Sequence, residues 1–256
     1  MIFASAQFEP CDDINQNISV HERYIKKASE LKADIIIFPE MSLTGYQKEN
    51  AAMMSFAPYD TRLNELRELS SSHNIIASVG APLNISNKLY IGLFIFMPDG
   101  SEKIYTKQFL HPGEEDFFEP SFDYNPLLNH SSRNISFAVC ADIEEKKHPL
   151  NASKLMTDIY CAEIFYTAKS IDHAHEILSY YAKEYSMCVL MSNYCGTSYN
   201  MTSGGGSAFW NKKGELISKM NSSDSGILIV EEREGIFSGR TYTVEGYSSV
   251  LSAPNR

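Results

Sequence analysis

The stretch "ISFAVCADIEEKKHP", Ile135 to Pro149, stays apolar through Val139, meets a thiol at Cys140 and turns charged from Asp142 onward. Such a run reads as a buried strand with Cys140 at its carboxyl end. Two readings compete for that thiol. Free cysteine is among the most buried residue types and fills cores, but ligands of open α/β proteins gather beyond the carboxyl ends of strands.

The same alternation spreads outward in both directions. "IFASAQF" (2–8) is a strand, and Ile14, Ile18, Ile25, Ala28 and Leu31 then share one helical face. "ADIIIFPE" (33–40) is a second buried strand, a helix follows around Thr61 to Ser71, and "NIIASVGAPL" (74–83) is a third strand. "LYIGLFIFMPDGSEKIYTKQF" (89–109) gives two strands joined at Pro98-Asp99-Gly100, a hairpin signal. Beyond Cys140, "HPLNASKLM" starts a helix near Asn151, and "DIYCAEIFYTA" (158–168) is a strand. Ile177, Leu178, Tyr181, Ala182 and Tyr185 mark another helix, and "SMCVLMSNY" (186–194) another strand. A hairpin at Lys213-Gly214 and "GILIVEE" (226–232) close the series. Residues 1–256 read as a single α/β domain, with the polar, aromatic residues after about 235 as a C-terminal arm. The hairpins argue against a parallel barrel, and two sheets with helices outside fit better.

With 256 residues and 43% hydrophobic content, the chain can bury a sizeable core. A formal charge of −10 with no basic patch argues against nucleic acid as a partner. No apolar stretch is long enough to span a membrane, and "MIFASAQFEP" reads as a first strand rather than a secretory signal. Five cysteines without a CxxC pair predict neither a disulfide framework nor a zinc site. A cytoplasmic protein with free thiols is the expectation.

Three reactive side chains stand where an apolar run stops: Glu40, Lys107 and Cys140. Singly, a solvated charge, a surface lysine and core filling explain them. Together they supply a base, a cation and a nucleophile. They also lie in "IIIFPEMSLTGY", "YTKQFLHPGEEDFFEP" and "ISFAVCADI", which resemble, in order and spacing, the glutamate, lysine and cysteine motifs of the nitrilase, or carbon-nitrogen hydrolase, superfamily. "MSNYCG" and "GGGSAFWNKKGELI" are similar to later strands of that family.

The resemblance implies a four-layer α-β-β-α sandwich of two mixed sheets with helices outside. It implies Glu40 as catalytic base, Lys107 as its cationic partner, Cys140 as nucleophile, and a further glutamate downstream of the lysine. Spacing to "FEP" favours Glu114 over Glu115. No metal or organic cofactor is expected. Pairing into a homodimer or higher homo-oligomer is implied, with the helix near Asn151 and the arm after Gly235 as candidate contacts.

The chemistry fits these residue types. An amide carbon is a poor electrophile, so Cys140 needs Glu40 to take its proton and return it to the leaving nitrogen. Lys107 and the backbone N–H of Ala141 can hold the oxyanion of a small-molecule amide or carbamoyl substrate. Family nitrilases place Trp-Glu after the nucleophile, where this chain has Ala141-Asp142, which favours an amide or carbamoyl group over a nitrile. The arginine of family ω-amidases is also absent. Glu144 and Glu145 read as a solvated face, though toward a pocket they would favour a cationic or neutral amide. Cys161 and Cys188 read as core filling, and Cys195 is a rival thiol in a small-residue loop. His111, His148, His173 and His175 lack metal-ligand spacing and read as surface residues. "SGGGS" (203–207) lacks the Gly-Lys-Ser/Thr of a phosphate loop. A nitrilase or acyltransferase using the same groups, and a non-catalytic binding protein on the same scaffold, remain alternatives.

Overall fold

The computed structural model describes residues 1–244. Along the chain, β1 (Ile2–Gln7), helix α1 (Ile14–Glu30) and β2 (Ile35–Ile37) come first. A one-turn helix α2 (Ala51–Met54), α3 (Asn64–Ser72), β3 (Ile76–Ile85), β4 (Lys88–Phe96) and β5 (Glu102–Thr106) follow. Next are β6 (Leu128–His130), β7 (Arg133–Val139), α4 (Lys147–Lys154), β8 (Ile159–Glu163), α5 (Ile171–Glu184) and β9 (Cys188–Ser192). A small hairpin, β10 (Thr197–Ser198) and β11 (Met201–Thr202), precedes β12 (Ala208–Trp210), β13 (Leu216–Lys219), β14 (Gly226–Arg233) and β15 (Ile236–Tyr242).

The strands form a seven-stranded sheet, β15-β14-β1-β2-β3-β4-β5, and a six-stranded sheet, β13-β12-β9-β8-β7-β6. Both are mixed: β1-β2-β3 and β7-β8-β9 run parallel, with antiparallel strands flanking them. The period of a strand explains the layering. Ile35 and Ile37 point into the core shared by the two sheets, while Ile36 points to the opposite face with Tyr24, Ile25 and Ala28 of α1. Asp13 caps α1 by accepting from the N–H groups of Asn15 and Gln16. Polar bonds pin the sheets together: Ser5 Oγ donates to the Met191 carbonyl at 2.7 Å, and Ser192 Oγ to the Ala6 carbonyl at 2.6 Å. The expected α-β-β-α sandwich is the observed one, with α1 and α3 outside one sheet and α4 and α5 outside the other.

Two expectations are corrected. The helix placed near Asn151 begins at Lys147, with Pro149 in its first turn, where a missing N–H leaves no bond unmade. Residues 236–242, expected as an arm, form edge strand β15, paired with β14 from Arg233↔Ile236 to Ile227↔Tyr242. Backbone bonding builds this edge, so little apolar patterning marks it. The remainder of the expected arm, 245–256, lies outside the described residues. Among the described residues, no helix is long and apolar enough to cross a membrane.

Candidate active site

Three strand ends converge. β2 leaves through Phe38-Pro39-Glu40, β5 through Lys107 and β7 through Cys140. The Glu40 turn is pinned to β3, because Phe38 N–H donates to the Ser78 carbonyl and Leu43 N–H to that of Gly80. Met41, at φ 51°, turns the chain sharply. Gly80 is required beneath: a Cβ there would lie 2.4 Å from Met41 N and 2.6 Å from Pro39 O. His21 braces the same turn. Its Nδ1 lies 2.7 Å from the Asn17 carbonyl and must donate, so Nε2 accepts from Ser42 Oγ at 2.9 Å. Burial pushes this imidazole down to about 4, which keeps it neutral.

Lys107 is fully buried, and its Nζ reaches Glu40 Oε1 at 2.8 Å and the two Glu114 oxygens at 2.9 and 2.8 Å. Glu114 also accepts from Tyr46 Oη at 2.6 Å and His111 N–H at 2.8 Å. Burial works against the Lys107 ammonium, but Glu40, Cys140 and Glu114 outweigh it and raise its pKa. Burial likewise opposes the Glu114 carboxylate, which Lys107 nevertheless holds below its usual range. Glu40 goes the other way. Burial raises it to about 7 against the pull of Lys107, and its Oε2 has no hydrogen-bond partner.

Cys140 sits at φ 45°, a left-handed conformation rare for a side chain of this kind and typical of strained functional turns. It opens a short 3₁₀ turn, Cys140–Ile143, whose first N–H groups lack partners within the turn. Sγ lies 3.3 Å from His111 Nε2 and 3.6 Å from the Phe165 carbonyl. Burial first, then Glu40, raises the thiol well above its ordinary pKa despite Lys107, so the resting group is a thiol. A thiol in this state is reactive only with a base beside it.

Asp142 ties the cysteine and lysine segments together. Oδ1 accepts from the N–H groups of Gln108 and Phe109, both at 2.9 Å; Oδ2 accepts from Val139 N–H at 2.8 Å and Tyr105 Oη at 2.6 Å. Because Tyr105 donates to Asp142, His148 Nε2 donates to Tyr105 at 2.8 Å and Nδ1 accepts from Tyr160 Oη at 2.7 Å. A buried polar relay thus runs beneath the Cys140 turn.

The structure brings together Glu40, Lys107, Glu114 and Cys140, with Ala141 on the same turn. Glu115 is exposed and caps the Gly113 N–H instead. Cys195 is buried against Ser225, away from this set. Glu144 is over one-third exposed but not merely solvated, since it accepts from Tyr166 Oη and pairs with His173 at 3.0 Å. Two histidines expected at the surface are not there: His148 is buried, and His111 faces Cys140. Sequence reasoning missed both, along with Tyr46 and Tyr105, because hydrogen-bond partners far apart in the chain leave no periodic signal. Among the described residues, no group of three or more His, Cys, Asp or Glu could hold a metal ion.

A buried thiol, ammonium and carboxylate pair at the strand exits of a two-sheet sandwich define a class of protein by architecture and site. The carbon-nitrogen hydrolase family model matches residues 3–233, and the chain belongs to that family. It is 30% identical over 160 residues to the protein N-terminal amidase of Saccharomyces cerevisiae, covering 52% of this chain and 35% of that protein. It is 26% identical over 148 residues to the glutamine-dependent NAD(+) synthetase of Xanthomonas campestris pv. campestris, covering 55% and 27%. The chain thus spans about a third or less of the length of these curated relatives. A cysteine-to-alanine mutant of the Nesterenkonia AN1 amidase, from the nitrilase superfamily, superposes with a TM-score of 0.80 at 20% identity, covering 90% of this chain and 89% of that one. A double mutant of the same amidase in complex with acrylamide gives 0.81 at 19% identity and 91% coverage of both chains. These likenesses establish a shared fold.

Proposed function

We propose that this protein hydrolyses a non-peptide C–N bond of a small amide or carbamoyl compound through a thioester on Cys140. The observation behind this reading is the buried set in which Lys107 Nζ lies 2.8 Å from both Glu40 and Glu114 while Glu40 Oε2 is left without a partner beside a protonated thiol. Glu40 takes the thiol proton as sulfur attacks the carbonyl carbon, then passes it to the departing nitrogen. Lys107 and the Ala141 N–H hold the oxyanion. Glu114 fixes the ammonium but takes no proton. Water then attacks the thioester, again with Glu40 as base. The relatives' names, two of them amidases, favour an amide over a nitrile. Exposed Leu150, Leu155 and Met156 on and after α4 support pairing of two copies through that helix, which sedimentation of the purified protein tests.

Ammonia release from a panel of small primary amides tests the reading. Wild type turns over at least one member, and Cys140→Ala, folded by circular dichroism, turns over none. Equal turnover by the two proteins refutes it.

A further inference from the structure

His111 has no role in the chemistry above, yet its Nε2 is 3.3 Å from the Cys140 sulfur. We propose that His111 is a further catalytic residue, whose Nε2–H hydrogen-bonds to the Cys140 sulfur and stabilises the thiolate formed during attack; this rests on Cys140 being the nucleophile.

The placement is built rather than incidental. His111 follows Lys107 by four residues, and its backbone is held at both ends of one turn. Its N–H donates to Glu114 Oε2 at 2.8 Å, and its carbonyl accepts from the Glu114 N–H at 2.9 Å. The carboxylate that grips Lys107 therefore also sets where the imidazole stands. The ring is partly buried, so its contact with sulfur is shielded from bulk water.

The direction of the hydrogen bond follows from relative basicity. In water an imidazole is a stronger base than a carboxylate, with ordinary values of 6.5 and 4.5. Here burial, then Lys107, lowers His111, while Glu114, Glu144 and Asp142 pull the other way and do not offset it. Burial meanwhile raises Glu40 to about 7. The carboxylate is thus the better acceptor for the thiol proton, and its Oε2 is without a partner. The imidazole stays neutral and can offer Nε2–H to a sulfur lone pair.

The step balances without a second proton acceptor. The S–H proton passes to Glu40, the sulfur–carbon bond forms, and the carbonyl π pair moves to oxygen. When the C–N bond breaks, Glu40 returns that proton to nitrogen. His111 keeps its Nε2 proton throughout, and its bond to sulfur weakens as the thiolate charge is lost on forming the thioester.

The test is the rate of Cys140 alkylation by iodoacetamide in the full chain, read by mass spectrometry of the Cys140 peptide. His111→Phe should slow alkylation roughly 10- to 100-fold, the loss expected for one hydrogen bond to a charged group. His111→Gln, which keeps an N–H donor of similar reach, should restore most of the rate. On an amide substrate, the same order should appear in kcat and not in KM. His111→Phe alkylating at the wild-type rate, or His111→Gln as slow as His111→Phe, overturns the proposal. If His111→Phe does not fold, His111→Asn replaces it, since its shorter amide stops short of the sulfur. Asn slow with Gln fast then supports the proposal, and equal rates overturn it. Alkylation reads the sulfur without turnover, so a protein that hydrolyses no amide yet keeps the His111 effect contradicts the proposed function alone.

Discussion

Replacing Asp142 by asparagine removes one acceptor oxygen from a buried group that now serves four donors. The amide oxygen can keep the Gln108 and Phe109 N–H groups, both bound at 2.9 Å. The NH2 group then faces the Val139 N–H, bound at 2.8 Å, and the Tyr105 hydroxyl, bound at 2.6 Å. Tyr105 can turn its proton toward His148 Nε2 at 2.8 Å if the ring moves its own proton to Nδ1 and donates to Tyr160, but the Val139 N–H has nowhere to turn. One orphaned buried donor costs about 1–3 kcal/mol, and two bonds demoted from charged to neutral cost about 1 kcal/mol each. The sum, roughly 3–5 kcal/mol, is a large part of a typical domain's net stability. For a chain of this size it lowers Tm by roughly 10 °C. Because Val139 precedes Cys140 and Gln108 follows Lys107, kcat should fall with it even at 25 °C, where the protein is still folded. Thermal unfolding followed by circular dichroism, paired with ammonia release, reads both effects. A variant within about 2 °C of wild type and equally active refutes the assignment of Asp142 as the tie between the two segments.

Other perturbations have equally definite outcomes. With Glu40 at about 7, kcat/KM should fall as pH drops below neutrality, about tenfold per unit, because the base must be unprotonated; a flat profile from pH 5 to 8 contradicts this role. His21, buried neutral with its pKa lowered from 6.5 to about 4, contributes stability that is complete above 6.5 and is lost as pH falls toward 4, in total about 3 kcal/mol. Urea titrations over that range should show a shallower pH slope for His21→Gln than for wild type, and identical slopes argue against it. Gly80→Ala drives a methyl group to 2.4 Å from Met41 N and should destabilise the fold by about 1–3 kcal/mol and displace Glu40, which a drop in both Tm and kcat will show.

The strand exits were legible because β2 and the last residues of β7 are mostly apolar and stop short of a proline-glutamate pair and of a cysteine. Period-two burial explains why: Ile35, Ile37, Phe137 and Val139 all feed the core between the sheets. Lys107 stands out in the same way, just past the end of β5, and the motif resemblance then added Glu114, whose charge no hydrophobic pattern could place. What stayed hidden was the polar interior. Asp142 read as a marker of substrate class, yet its oxygens bind the backbone of the lysine segment. His148 and His111 read as surface residues because a histidine's surroundings depend on partners 43 and 29 residues away. The left-handed backbone of Cys140 was equally hidden, since no glycine announces it. Strand β15 was missed because an edge paired through its backbone needs little apolar alternation.

The proposed hydrolysis stands or falls on an acyl bond formed by the Cys140 sulfur beside Glu40 and Lys107. Its most direct measurement is a mass spectrum of the protein quenched in acid after brief mixing with p-nitrophenyl acetate, an activated donor that demands little recognition. One acetyl group is expected, on the Cys140 peptide, absent from Cys140→Ala and accumulating more slowly in Glu40→Gln. Acetylation of another residue with Cys140 unmodified contradicts it.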